Sequence, residues 1–188
     1  MPHPAARGAR VYLAAPSRRD RQAFLAAGLR SRSLHRSWVT TRFDDKMFDA
    51  YLKRARRKDH ACFLVRRIDD DAIVGVININ LIVRGFFHSG YLGYYGFRPH
   101  NGHGLMREAL ELVLRRAFRT LKLHRLEANI QPGNKSSIAL VRRCGFIKEG
   151  LSRRYLKIAG RWRDHERWAI TIEDWRARNG ARARRKRS

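Results

Sequence analysis

The sequence predicts a single domain of the mixed α/β (α+β) class. Strand-like runs and helical patterns alternate along its 188 residues, and neither an internal repeat nor a linker divides them. This length suits one hydrophobic core. Hydrophobic residues make up 44% of the chain, which is typical of a globular protein even though 31% of its residues are charged.

The first half of the chain predicts two helices and four strands. Ser17 is placed to cap the first helix, which starts at Arg18, because a serine hydroxyl can accept from the free amides of a first turn. Residues 31–38 are expected to form a connector, and the acidic run 69–71 a turn. The expected strands are residues 11–15, 62–67, 72–83 and 86–97, and the second helix is residues 44–57.

The second half predicts a long helix, a strand, a short helix and a closing hairpin. These elements are residues 105–121, 124–131, 136–143, and the strands 147–158 and 162–172 joined by a turn at 159–160. The long helix has an apolar face of Met106, Ala109, Leu110, Val113 and Ala117. We expect residues 1–10 to be a loose lead-in, residues 11–176 the domain, and residues 177–188 a basic, disordered tail.

A glycine loop between the strand ending at Phe97 and the helix starting at Leu105 is the first candidate for function. Gly102 and Gly104 allow close approach of the backbone to a ligand, and the first amides of the helix have no internal partners. Such amides, together with the helix dipole, favour a bound phosphate or pyrophosphate. Two glycines in a plain strand-to-helix turn would look the same, so both interpretations stay open on this motif alone.

The formal net charge of +26 is the compositional anomaly. It predicts attraction to polyanions such as RNA, unless it reflects only a bias toward arginine on solvated surfaces. Cys62 and Cys144 make no disulfide framework or metal-ligand cluster, which fits a cytoplasmic protein without a metal site. No apolar run is long enough to cross a bilayer, and no signal-peptide core is present. We therefore expect no membrane partner.

Several motifs in order resemble one family. They are Val83-Arg-Gly-Phe-Phe-His, Tyr91-Leu-Gly-Tyr, Gly102-His-Gly-Leu-Met, His124-Arg, Pro132-Gly-Asn-Lys and Gly160-Arg-Trp-Arg-Asp-His. Their order and spacing resemble the GNAT (GCN5-related) N-acetyltransferases, and within them the RimJ/RimL-type ribosomal-protein-alanine N-acetyltransferases. The resemblance covers residues 11–175. It implies a mixed, mostly antiparallel central sheet flanked by helices, with two central strands splayed apart.

The resemblance also implies acetyl-CoA as the cofactor. The glycine loop would hold its pyrophosphate, and the strand end before the loop would pair with its pantetheine arm. Asn134 matches an asparagine that contacts this arm, although its place before a helix equally suits an N-cap. The implied cofactor-binding residues are Gly96, Phe97, Arg98, Asn101, Gly102, His103, Gly104, Leu105 and Asn134. Pro99 stands where the family often has glutamine or arginine.

Two residues are candidates for catalysis. Many family members carry a tyrosine seven residues after the asparagine, but this position is Val141 here. Ser137 has the RimL-like spacing and is the expected proton donor to the departing thiolate; capping its own helix is the alternative. Glu127 is the nearest acid for accepting a proton from the amine, through water, and an outward salt bridge is its alternative role. An α-amine, with a pKa of about 7.7–8.0, needs little help.

Three functional classes follow. The first is transfer of an acetyl group to a protein N-terminus, with N-terminal alanine of a ribosomal protein as the expected acceptor. The second is acetylation of a small amine such as a polyamine, an amino acid or an antibiotic, which the positive charge disfavours. The third is a non-catalytic nucleic-acid-binding module. Ribosome or RNA association through the basic surface and tail is compatible with the first class.

Overall fold

A computed structural model describes residues 4–35, 38 and 42–185, with the backbone alone for 182–185. The described chain forms one sheet of eight strands in the order β1-β2-β3-β4-β5-β6-β8-β7. The strands are β1 (Ala6–Arg7), β2 (Val11–Ala14), β3 (Ala61–Arg67), β4 (Ile73–Val83), β5 (Ser89–Gly96), β6 (Arg125–Ile130), β7 (Ile147–Ile158) and β8 (Arg161–Thr171). The helices are α1 (Arg21–Arg30), α2 (Arg32–His35), α3 (Asp45–Ala55), α4 (Leu105–Arg119), α5 (Lys135–Arg143) and α6 (Ile172–Arg185).

The sheet has one parallel junction, between β5 and β6, and is otherwise antiparallel across its described strands. The parallel pairing is short and ends at Tyr91 opposite Glu127. Beyond that pair, β5 continues to Gly96 and β6 to Ile130, and no pairing between them is present in this part of the sheet. The expected mixed sheet with splayed central strands is confirmed.

Two apolar layers cover the two faces of the sheet. One packs the buried side of α4, including Ala109, Leu110 and Val113, against the sheet together with α5 and Trp175 of α6. The apolar face expected for this helix is therefore buried. The second layer joins α1 and α3 to the opposite face through an aromatic group of Phe24, Phe43, Phe48, Tyr51 and Phe97.

Helix starts follow the local sequence. Ser17 precedes a 3-10 turn over Arg18–Asp20 that leads into α1, and its N–H and hydroxyl both donate to the Asp20 carboxylate, at 2.6 and 2.8 Å. Asp44 caps α3 by accepting from the amide of Met47 at 2.8 Å. Helices therefore begin where the capping residues predict.

Three segments differ from the sequence-based expectation. Within the expected lead-in, Ala6 and Arg7 pair with β2, because the amide of Gly8 donates to Val11 at 2.8 Å and closes a tight hairpin. The expected connector 31–38 contains α2. Residues 177–185, expected to be disordered, continue α6, since Arg178 pairs with Glu111 and donates to the carbonyl of Cys144. Residues 186–188 of the expected tail lie outside the described residues.

Candidate active site

The glycine loop has a left-handed backbone and lies open to solvent. Gly102 and Gly104 adopt φ angles of +88° and +77°, in the left-handed region that favours glycine. A Cβ at Gly102 would meet nothing within 4 Å, and one at Gly104 only Arg10 Nη2 at 3.5 Å. Packing therefore does not require glycine here. Helix α4 starts immediately afterwards at Leu105, so its free amides adjoin an open, exposed loop.

Arg10, which precedes β2, forms hydrogen bonds to this loop and to α4. Its Nη1 donates to the carbonyl of His103 at 3.1 Å, while its Nε and backbone amide donate to Glu108 at 3.0 and 2.7 Å. Burial raises the pKa of Glu108, but the hydrogen bonds from Arg10 outweigh it and the net shift is downward. The loop is thus held in place by a cation. Arg10 lies within the expected lead-in, and sequence reasoning missed it.

The end of β5 presents backbone groups to the gap between β5 and β6. In an antiparallel pair, residues alternate between those that bond the neighbouring strand and those that point away from it. The amide of Phe97 donates to Val74 at 2.7 Å, so Gly96 and Tyr94 point their N–H and C=O groups away from β4. The carbonyl of Phe97 accepts from His100 at 3.0 Å. Phe97 therefore anchors the strand end, whereas Gly96 and Tyr94 line the gap.

Two buried residues fix the same strand end from the α1–α2 side. Nε2 of His35 lies 2.8 Å from the carbonyl oxygen of Gly96 and donates to it, since a carbonyl only accepts. Burial lowers the pKa of His35, which keeps its ring neutral. The backbone amide of Arg98 donates to the Ser31 hydroxyl at 2.9 Å, leaving the Arg98 side chain exposed at the start of the glycine loop. The N–H of Gly96 is then the backbone donor that faces the gap.

Asn134 caps α5 from the far side of the gap. Its Oδ1 accepts from the amide of Ser137 at 3.2 Å and from the hydroxyl of Ser136 at 3.1 Å. Both bonds use the carbonyl oxygen, and among the described residues nothing bonds the amide nitrogen. The expected capping role is therefore present, and the donor end of the side chain is left for a ligand.

Ser137 joins α5 to β5 through Tyr94. The Ser137 hydroxyl lies 2.8 Å from the Tyr94 hydroxyl, which in turn donates to the carbonyl of Ser137 at 3.3 Å. Burial raises the pKa of Tyr94 well above its ordinary value, so the phenol stays protonated. Val141 is fully buried in the apolar layer under α5. Two hydroxyl groups therefore meet beside the gap.

Comparison with known proteins identifies the family. The family model described as acetyltransferase (GNAT) domain matches residues 10–147. The chain belongs to the GNAT acetyltransferase family. "Probable N-acetyltransferase YjcK" of Bacillus subtilis is 36% identical over 137 residues, covering 73% of this chain and 76% of that protein. The [Ribosomal protein uS5]-alanine N-acetyltransferase of Escherichia coli is 48% identical over 107 residues, covering 57% of this chain and 55% of that enzyme.

A solved GNAT structure agrees with the fold. The structure of Mycobacterium smegmatis RimJ in complex with CoA-disulfide has a TM-score of 0.80 and 28% sequence identity, covering 87% of this chain and 83% of that one. The resemblance to GNAT acetyltransferases of the RimJ/RimL type, drawn from motifs, is thereby confirmed. The protein is an N-acetyltransferase.

Glu127 lies at the point where the two central strands of this GNAT sheet separate. Its Oε1 accepts from Arg125 Nε at 2.9 Å, and Arg125 also pairs with Glu149. The salt bridge considered as its alternative role is therefore present. Near it, Asn129 donates to the hydroxyl of Tyr155 at 3.4 Å, at the limit of a hydrogen bond. Glu127 thus lies beside the gap, and its carboxylate already forms an ion pair with Arg125.

The predicted site residues fall into two groups. The loop residues Asn101, Gly102 and His103 are exposed beside the helix start, while Ser137 bonds both Asn134 and Tyr94. Tyr94, His35 and Arg10 were not foreseen. Strand alternation alone could have placed Tyr94 on the face of the sheet that α4 and α5 cover, because it follows Leu92 on the same face. No group of metal-binding side chains occurs among the described residues, and none of their helices is long and apolar enough to cross a membrane.

Proposed function

We propose that the protein transfers the acetyl group of acetyl-CoA to the α-amine of a protein N-terminus. The expected acceptor is an N-terminal alanine, or a similar small residue, of a ribosomal protein. The observation that carries this proposal is the meeting of Ser137 and Tyr94 beside a strand gap, with the exposed glycine loop and the start of α4 following the same strand β5. The similarity to the uS5-alanine enzyme supports the acceptor class.

The glycine loop and the gap fit the two ends of coenzyme A. Amides of residues 101–105 would hold the pyrophosphate, aided by the positive end of α4 and by the Arg10, Arg98 and His103 side chains. The N–H of Gly96 and the amide nitrogen of Asn134 would hold the pantetheine arm. Bound in this way, acetyl-CoA supplies an activated acetyl thioester. A backbone-lined site of this kind recognises the cofactor without requiring a particular side chain in the loop.

Ser137 is the proton donor in this proposal. Acetyl transfer to an amine releases a thiolate. The Ser137 hydroxyl, turned from Tyr94 toward the sulfur, would give its proton to the thiolate, and water would return a proton to the serine oxygen. Tyr94 is a positioning residue, since its phenol accepts from the Ser137 hydroxyl and donates to the Ser137 carbonyl. Both bonds hold the serine at the edge of the gap. Phenol deprotonation is not required, which agrees with the raised pKa of Tyr94.

Glu127 accepts the amine proton through water in this proposal. The strand position beside Tyr91 puts its carboxylate at the mouth of the gap. Its ion pair with Arg125 holds the carboxylate in place. A peptide α-amine, with a pKa of about 7.7–8.0, is partly neutral at pH 7 and needs little help in losing a proton, whereas a lysine side chain would need much more.

Substitution of Ser137 tests the mechanism. Ser137→Ala should lower kcat about a hundredfold, the low end for loss of a general acid, because a thiolate leaves readily. Acetyl-CoA affinity measured by calorimetry should stay nearly unchanged. Ser136→Ala is the matched control, since this neighbouring serine bonds Asn134 but not Tyr94. Near-normal turnover of Ser137→Ala would assign its hydroxyl to holding the helix and leave water as the acid.

The acceptor class needs a separate experiment. Mass spectrometry of protein N-termini in cells with and without the protein should show one or a few ribosomal proteins losing acetylation. Purified enzyme should acetylate the matching N-terminal peptide and not spermidine, since a charge of +26 repels free polyamines. Turnover of spermidine with no change in protein N-termini would favour the small-amine alternative.

Ribosome association and a cytoplasmic location complete the proposal. Support for association comes from the net charge of +26 and from the basic residues 182–187, whose side chains lie outside the described part of the structure. Cys62 and Cys144 are both buried and are not joined in a disulfide, which is compatible with a reducing compartment.

A further inference from the structure

The closing hairpin extends past the rest of the sheet. Strand β6 ends at Ile130, opposite Glu166 of β8, and β7 is an edge strand. Residues 152–165, which we call the β7–β8 arm, therefore form a two-stranded projection without a paired strand on either side in the described structure. Its turn has positive φ at both Ala159 and Gly160, as a tight two-residue hairpin turn requires. The arm is thus a defined hairpin with an exposed turn, and at its base His165 is buried and Tyr155 contacts Asn129 of β6.

The charge of the arm lies on exposed side chains. Its five basic side chains, all exposed, are Arg153, Arg154, Lys157, Arg161 and Arg163. None of them takes part in an ion pair with the residues that the structure describes, which is also true of most other arginines in that part of the chain. The acid of the arm, Asp164, instead accepts from the backbone amide of Arg154 at 2.7 Å. The positive charge of the arm is therefore available to a partner.

Aromatic rings lie among these cations. Trp162 is 60% exposed and stands directly opposite Lys157 in the strand register. Tyr155 is 37% exposed. An exposed indole beside a lysine gives a flat apolar surface next to a cation. Nucleic-acid bases stack on such rings while cations contact the phosphates.

We propose that the β7–β8 arm binds single-stranded RNA, with a base stacked on Trp162 and phosphates held by the arm's cations. A second copy of this chain is a poorer partner for the same surface, because it would bring an equally cationic arm against it. Duplex RNA is also a poorer partner, since its bases are already stacked and their faces are unavailable to an indole. The contact is independent of acetyl transfer and needs no residue of the glycine loop or of α5.

Fluorescence anisotropy of the full chain with a labelled twelve-nucleotide oligouridylate tests the stacking contact. Trp162→Ala should weaken binding roughly tenfold, within the range of about 1–3 kcal/mol seen for loss of a base-stacking ring. Trp162→Phe, which keeps a ring, should restore most of the affinity. The wild-type protein should bind a labelled RNA duplex of the same length more weakly. Circular dichroism checks folding, which an exposed residue should not affect.

Two double variants that each remove two cations test whether the RNA contact lies on the β7–β8 arm. Arg161→Gln with Arg163→Gln should lower affinity and reduce the slope of log affinity against log salt by about 1.4, at about 0.7 for each phosphate contact. The control, Arg56→Gln with Lys58→Gln, removes two exposed cations after α3 and should change affinity much less. Equal losses in both pairs would mean diffuse charge and overturn the proposal.

Two other results would overturn it. If Trp162→Ala binds the RNA with wild-type affinity, Trp162 does not stack on a base. A change of oligomeric state in Trp162→Ala, seen by analytical ultracentrifugation without a change in RNA affinity, would assign the arm to contacts between copies of the chain. Because none of these measurements uses acetylation, they stand or fall separately from the proposed activity.

Discussion

Gly104→Val separates a cofactor-binding role of the glycine loop from a purely structural one. Gly104 has a φ of +77° and its missing Cβ faces open space apart from one arginine nitrogen at 3.5 Å. A valine here must either keep the left-handed backbone or change it. The left-handed conformation costs about 1–2 kcal/mol for a residue with a Cβ. Domains are stable by about 5–15 kcal/mol, so the variant should still fold.

Gly160→Val is the matched control. Gly160 has almost the same φ, +78°, and a Cβ there would meet nothing within 4 Å. It lies in the turn of the β7–β8 arm, outside the glycine loop, and β6 separates the arm's strands from β5. Both variants should therefore lose a similar few degrees of melting temperature, at roughly 2–4 °C for each kcal/mol in a chain of this size.

Acetyl-CoA affinity should distinguish the two variants. If amides of the loop hold the pyrophosphate, Gly104→Val loses at least one hydrogen bond to a charged group, worth about 1.5–3 kcal/mol. Its affinity by calorimetry should fall at least tenfold, since about 1.4 kcal/mol corresponds to a factor of ten. Gly160→Val should bind as the wild type does. If Gly104→Val also keeps full affinity at the same loss of stability, the loop is only a turn and the reasoning is wrong.

Two further predictions concern the amine and the arm. Glu127→Gln should lower kcat/KM for an N-terminal peptide several-fold at pH 6.5 but little at pH 9, because the α-amine is already neutral at the higher pH. An equal loss at both pH values in initial-rate assays would show that Glu127 has only a structural role. Ala159→Asn should stabilise the fold by up to about 1 kcal/mol and so raise the melting temperature, because asparagine tolerates the positive φ of 49° better than alanine does. A lower melting temperature in thermal denaturation would contradict this.

The sequence predicted most elements because their signals are local. The helix expected at 105–121 and the hairpin with a turn at 159–160 agree closely with α4, β7 and β8. The β1 pairing and the continuation of α6 to Arg185 were missed because they depend on contacts between distant residues. Arg178 of α6, for example, bonds Glu111 on α4. A basic, alanine-rich segment shows no sign of such a partner in its own sequence.

The candidate site divides in the same way. Ser137 and Asn134 were predicted from the family resemblance, and both are found at the start of α5. Tyr94 and His35 were not, since each acts through a partner more than forty residues away. Val141 occupies the position where many family members have a tyrosine. A tyrosine there would have to enter a fully buried site, so Tyr94 on β5 is the phenol that this chain brings to Ser137.

The surplus of positive charge has a consequence for the choice of acceptor. Most acidic side chains of the described chain are already engaged in ion pairs, so the cations left over face solvent. A free basic peptide would meet a repulsive surface, and repulsion lowers the rate of encounter. The same peptide displayed beside RNA would not be repelled in this way, because the negatively charged RNA attracts the enzyme to the peptide. The proposed RNA contact at the β7–β8 arm and the proposed acetylation of ribosomal N-termini therefore support each other while resting on different residues. Adding a single-stranded RNA in cis to a basic acceptor peptide should then lower its KM without changing kcat.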